Sequence, residues 1–200
     1  MVSVLSELCA EAEAHTLTAM RMAAAFDASE RGDAREAELF RIGVAVSKYF
    51  VTKRLPNFTY ECMEAMGGNG FVEDFPMAML YRHAPLNSIW EGSGNVMVLD
   101  ILRGGKSLPI LVQEIAQCRG VNTIVDDFID HLAESVTDLL TENVLSASNQ
   151  RHARNLADRL AIGLQASLLL RYGNPTVCMH ICVLVCMYVC MYVCMYADVC

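Results

Sequence analysis

The chain has 200 residues, 54% of them hydrophobic, with 15 Lys and Arg against 23 Asp and Glu and a net charge of −8. That length suits one domain with a hydrophobic core and not two full ones, and the acidity repels a phosphate backbone, which disfavours generic nucleic-acid binding. The apolar excess is local, because Val177 to Cys200 carries a single charge, Asp198, and leaves residues 1–176 with 15 basic and 22 acidic residues, about −7 in net charge.

The first segment is amphipathic. Met1-Val-Ser-Val-Leu-Ser-Glu7 is followed by Glu11 and Glu13, unlike the basic start and apolar core of a secretory signal. Residues 3 to 26 are rich in Ala, Leu, Glu and Met, with Val4, Leu5, Leu8, Ala12, Leu17, Met20 and Met22 near helical spacing. Arg31-Gly32-Asp33 breaks this helix, and Asp33 is placed to cap the next. The second helix is expected from Ala34 to about Arg54, with Leu39, Ile42, Val46, Tyr49 and Phe50 on one face, and Pro56 should kink or end it.

Residues 57 to 66 resume helical spacing until Gly67-Gly68-Asn69-Gly70, a cluster that favours a tight or closely approached backbone. A short helix around Pro76 to Arg82 is broken at Pro85, and Asn87 to Gly92 forms a turn-rich entry to a helix over Ser93 to Arg103. Ser93 is its expected cap and Gly104-Gly105 its stop. After a linker, amphipathic helices are expected around Ile124 to Leu140 and His152 to Tyr172, the latter with Leu156, Leu160, Leu164 and Leu168 four apart. No stretch alternates apolar and polar residues, so the fold class is all-α, a helical bundle with short connections and no sheet.

Six of the nine cysteines lie in the tail, and the other three, Cys9, Cys62 and Cys118, are scattered on helical segments. They read as reduced, small apolar side chains in a reducing compartment, with no metal site. The tail itself repeats Cys-Met-Tyr-Val from Cys186 onward. It has the length of a membrane span over residues 177–197, but TGT-ATG-TAT-GTA spells the same residues as a run of one tetranucleotide, and a translated repeat accounts for it more simply. Uniform helical spacing of thiolates also does not suit tetrahedral zinc.

Two segments could carry chemistry: Glu64-Ala-Met-Gly67-Gly68-Asn69-Gly70-Phe71 and Asn87-Ser-Ile-Trp-Glu91-Gly-Ser93-Gly-Asn95. Glycines beside a helix end let a ligand approach main-chain N–H groups, and a helix N-terminus favours an anion. A helix stop and a turn are the plainer reading, and neither segment fits the Rossmann or P-loop spacing. Glu91, between Ile89-Trp90 and Gly92, is expected to be partly desolvated, which would raise its proton affinity and suit proton abstraction. The plainer alternative is a favourable partner for the helix dipole.

The run from Arg41 through Arg103 carries Ser47-Lys-Tyr-Phe-Val-Thr-Lys-Arg54, Leu80-Tyr-Arg82 and the two segments above. It closely resembles the C-terminal domain of acyl-CoA dehydrogenases, and within them the AidB-like, adaptive-response branch. The likeness extends more loosely over Val4 to Asp27 and Ala153 to Thr176. It implies that residues 1–176 are a partial C-terminal helical domain and that residues 177–200 are a low-complexity tail. By the same resemblance Glu91 is the base that takes the α-proton of an acyl-CoA thioester while a β-hydride passes to FAD. Its backbone N–H helps hold the thioester carbonyl. Gly67 and Gly68 match a region touching the FAD of a neighbouring subunit, and Ser93 and Asn95 fall where family members contact FAD.

The implied cofactor is therefore FAD, the implied substrate an acyl-CoA, and the implied assembly a homo-oligomer. Nucleic acid enters only through the AidB-like branch, and a membrane only if residues 177–197 span one. Glu64, Ser93, Asn95 and His83 depart from the commonest family residues; the first three match the AidB-like branch, and His83 reads as a surface or interhelical residue. The family's N-terminal helical domain, its β-domain and the first helix of its C-terminal domain have no counterpart in the resemblance. The chain alone is accordingly expected to be inactive and to bind FAD weakly or not at all. The competing readings are a non-catalytic oligomerisation module and a DNA-protective flavoprotein.

Overall fold

Two long helices joined by a tight turn form the base of the fold: α1 (Val2–Glu30) and α2 (Ala34–Ala65). The computed structural model describes residues 1–141 and 144–174, so the readings made for residues 177–200 lie outside the described residues. At the turn Gly32 takes φ 93°, and the Asp33 carboxylate accepts from the Glu36 N–H at 3.0 Å, the cap expected from sequence. The buried face of α1 is mostly small, with Ala10, Ala14, Thr18, Met22 and Ala25, which lets α2 fold back closely against it. Gly43 marks the tightest approach, since a Cβ there would lie 2.5 Å from the Met22 sulfur.

Pro56 does not end α2, which runs on to Ala65. The missing N–H leaves the Thr52 carbonyl without its usual partner four residues on. Contacts on both sides nevertheless hold the helix together: Arg54 donates to Glu11 of α1 at 3.0 Å, and the buried Thr59 hydroxyl donates to the Leu55 carbonyl at 2.8 Å and the Pro56 carbonyl at 3.1 Å.

Beyond α2 come the short α3 (Gly68–Phe71) and α4 (Met77–His83), a 3-10 turn at Ala84–Ser88, and α5 (Gly94–Arg103). His83, the last residue of α4, is exposed. The segment expected as a linker contains a further helix, α6 (Leu108–Ile115), flanked by 3-10 turns. Leu108, Leu111 and Ile115 are fully buried in the core. A helix of eight residues is too short for its period to stand out.

Helix α7 (Thr123–Thr141) and helix α8 (Ala147–Tyr172) complete the bundle. The spine is α8, which packs against α1, α2, α5, α6 and α7 through Leu156, Leu160, Leu164 and Leu168, all buried. A Cβ on Gly163 would lie 3.1 Å from Phe128 and 3.3 Å from Ile115, so α6 and α7 both close on α8 there. The described residues are helices and turns with no strand, and no described helix is long and apolar enough to cross a membrane. Among them Cys9, Cys62 and Cys118 are free thiols.

One polar cluster ties α1, α2, α6 and α8 together. Glu114, fully buried, accepts from Arg21 at 2.8 Å, Arg171 at 3.0 Å and Gln117 at 3.0 Å. Arg21 also donates to Glu36 at 2.7 Å. Burial opposes ionisation of Glu114, but the bonds and charges of Arg21 and Arg171 outweigh it and carry the carboxyl down to about 2.

Candidate functional site

The first glycine segment turns the chain off the C-terminal end of α2. Gly67 adopts φ 61°, and the chain wraps back so that a Cβ on Gly70 would lie 2.2 Å from the Met63 carbonyl oxygen. The close approach that the cluster suggested is thus made at Gly70, by the protein's own backbone. Gly67 and Gly68 instead face open space, with nothing within 4 Å of where a Cβ would stand.

The second segment follows the 3-10 turn. The N–H groups of Ile89 and Trp90 both donate to the Leu86 carbonyl, at 2.9 and 3.2 Å. Two successive positive-φ residues follow, Glu91 at 53° and Gly92 at 102°. For glutamate this left-handed conformation costs about 1–2 kcal/mol and persists only where the surroundings over-determine it. The constraint comes from α2: the Lys48 ammonium donates to the Trp90 carbonyl at 2.9 Å and also to the Gly92 carbonyl. Burial lowers the proton affinity of Lys48, while the Glu91 charge opposes that shift.

Glu91 itself is exposed, which corrects the expectation that it is partly desolvated. The flanking apolar residues provide no enclosure, because Ile89 and Trp90 are 63% and 54% exposed. The two glycine segments also lie apart within the chain. Lys48, which holds the Glu91 loop, and Ala65, next to the Gly67 turn, are separated by roughly 25 Å of helix axis.

Ser93 occupies the N-cap position of α5 in extended conformation, φ −65° and ψ 164°, yet its hydroxyl makes no capping bond. The cap expected from sequence is therefore one of position only. The first turn of α5 is held from two sides. Against α2, a Cβ on Gly94 would lie 2.6 Å from Lys53 Cε and 3.7 Å from Tyr49 Cε2. Against α8, the Asn95 side-chain oxygen accepts from Arg154 Nε at 3.0 Å and Nη2 at 2.6 Å. The same helix presents Asp158, which burial raises to about 6 against the opposing hydrogen bond from Tyr49 and the charges of Arg154 and Arg54.

Each segment by itself leaves groups open to a dinucleotide of the kind the resemblance implies, though not to the same one. Gly67 and Gly68 leave main chain open to close approach. Ser93 is exposed with its hydroxyl uncommitted to a cap. The Arg154 contact consumes the oxygen of Asn95 and leaves its amide N–H groups as the face open to a ligand.

Lys48, Arg154 and Asp158 adjoin the second segment only in the folded chain. Lys48 had one available signal, a lone cation beside the apolar positions Val46, Tyr49 and Phe50. Arg154 had none, since its partner is 59 residues away.

A profile of the C-terminal domain of acyl-CoA dehydrogenases matches residues 2–106. AidB of Escherichia coli (strain K12) is 44% identical over 103 residues, 52% of this chain and 19% of AidB. Acyl-CoA dehydrogenase family member 11 of Caenorhabditis elegans is 32% identical over 111 residues, 54% of this chain and 18% of that protein. The chain thus spans about a fifth of the length of these curated relatives. Among solved structures, the apo form of Bd2924 superposes with a TM-score of 0.71 at 28% identity, over 86% of this chain and 33% of the other. Caenorhabditis elegans ACDH-11 in complex with C11-CoA shares the fold, with a TM-score of 0.72 at 23% identity over 94% of this chain and 35% of the other.

Proposed function

The chain belongs to the acyl-CoA dehydrogenase family, whose C-terminal helical domain it carries, and we propose that it supplies the base and part of the cofactor seat for α,β-dehydrogenation of an acyl-CoA thioester in a protein of its relatives' length. The Glu91 carboxylate takes the α-proton. The Glu91 backbone N–H donates to the thioester carbonyl and stabilises the enolate charge that develops there. FAD, when bound, supplies the acceptor for the β-hydride. Ser93 and the Asn95 amide hold that cofactor at the first turn of α5, while Gly67 and Gly68 approach the FAD of a second subunit. The length of α2 between the two segments supports their serving different cofactors. On this reading residues 1–176 are one partial domain and residues 177–200 a separate low-complexity stretch.

The observation that carries the proposal is the conformation of Glu91, a left-handed non-glycine residue whose two flanking carbonyls accept from one lysine, at the position that the resemblance matches to the family's base. Exposed apolar side chains, among them Phe71, Phe75, Leu86, Ile89 and Trp90, support burial of this region against a second copy of the chain.

The test is a graft of this chain's residues into the matching region of Escherichia coli AidB, followed by loss of flavin absorbance on mixing with isovaleryl-CoA. Glu91→Gln should retain FAD and lower the reduction rate by about 10²–10⁴-fold, the usual contribution of a positioned base. A Glu91→Gln graft that reduces flavin at the unsubstituted rate overturns the assignment.

A further inference from the structure

The two carbonyls that flank Glu91 accept from one ammonium, that of Lys48, although Lys48 lies 42 residues from Trp90 and 44 from Gly92 in sequence. Carbonyls two residues apart converge on a single donor when the residue between them turns back on itself, which is what the φ of 53° at Glu91 achieves. Glutamate does not keep that conformation unaided. We infer that Lys48 is the positioning residue for Glu91: by tying the Trp90 and Gly92 carbonyls to α2 it fixes the left-handed turn and the direction in which the carboxylate projects. The inference rests on the reading of Glu91 as the base.

An ordinary surface lysine would keep its ammonium in water, with side-chain freedom favouring that state. Lys48 instead spends its donors on main chain. It reaches the loop from the middle of α2, a helix anchored to α1 through Arg54 and Glu11. The base is therefore referenced to the most extended rigid element in the fold and not to its own loop.

Trp90 is the single tryptophan of the chain, so its fluorescence reports this loop alone. In the full 200-residue chain, Lys48→Met keeps the aliphatic stem and removes the donors, whereas Lys48→Arg keeps charge and donors. Lys48→Met should lower the steady-state anisotropy of Trp90 and raise its quenching by acrylamide, with the far-ultraviolet circular dichroism unchanged. Lys48→Arg should stay close to the wild-type chain. Trp90 signals in Lys48→Met equal to wild type, in a chain of unchanged helicity, overturn the inference. If Lys48→Met fails to fold, Lys48→Leu, which also lacks a side-chain donor, serves the same comparison.

In the AidB graft, Lys48→Met should lower the rate of flavin reduction by about 10²-fold, the effect of a misplacement near 1 Å, without raising the acyl-CoA concentration for half-saturation. An active Glu91→Gln graft sinks the base assignment, and the Trp90 comparison still decides the grip. An inactive Glu91→Gln graft beside a fully active Lys48→Met graft sinks the positioning role.

Discussion

Glu114 sits where α1, α2, α6 and α8 meet, fully buried with Arg21, Arg171 and Gln117 bonded to its carboxylate. Glu114→Gln should cost about 3 kcal/mol in a urea unfolding experiment, because it removes the counter-charge of the largely buried Arg21 and Arg171 guanidinium groups. Arg21 retains Glu36, so Arg171 bears most of the loss. The pH dependence follows from the direction of the shift. The folded carboxyl is depressed from 4.5 to about 2, so the unfolded chain takes up a proton first as pH falls. The stabilisation is fully present above the unfolded value and is lost progressively as pH drops from about 4.5 through 2. A denaturation series across that window should lose less stability in Glu114→Gln than in the wild-type chain. Glu114 carries no signal in the sequence, being one acid in a short segment between glycine breaks. Glu91 was legible through its neighbours, yet its exposure was not, because enclosure depends on what other elements do.

Helices were readable where their period had room to repeat. The four-residue leucine spacing of α8 marks its buried stripe, and Asp33 caps α2 as its residue type indicates. Reading failed where a local rule met a tertiary opponent. Pro56 obeys the rule in losing a hydrogen bond, but α1 contacts and the Thr59 hydroxyl carry the helix past it. Pro56→Ala restores the N–H and removes the ring clash, so it should stabilise the chain by up to about 3 kcal/mol. Thermal unfolding checks this, and a lower melting temperature would show that the proline ring is needed for packing of α2 against its neighbours.

At the scale of the molecule, the described residues bury a helical core and leave several large apolar side chains exposed between Phe71 and Trp90, with Phe71 at 74%. Such a concentration marks an interaction surface more often than it marks idle solvent contact. Light scattering should therefore give a mass above the 22.1 kDa of one chain, and the double substitution Phe71→Ser with Phe75→Ser should return it toward that value. A monomeric wild-type chain would remove the case for a subunit contact here.

Amino-acid pattern sufficed for the helical class, most element positions and the segments that place the chain in its family, because periodicity, capping and glycine breaks act over a few neighbouring residues. The Lys48 grip, the Arg154 contact to Asn95 and the Glu114 cluster join residues 42, 59 and 93 positions apart. Such pairings exist only once helices have packed, since it is the packing of α1, α2, α5, α6 and α8 that brings each donor within reach of its acceptor.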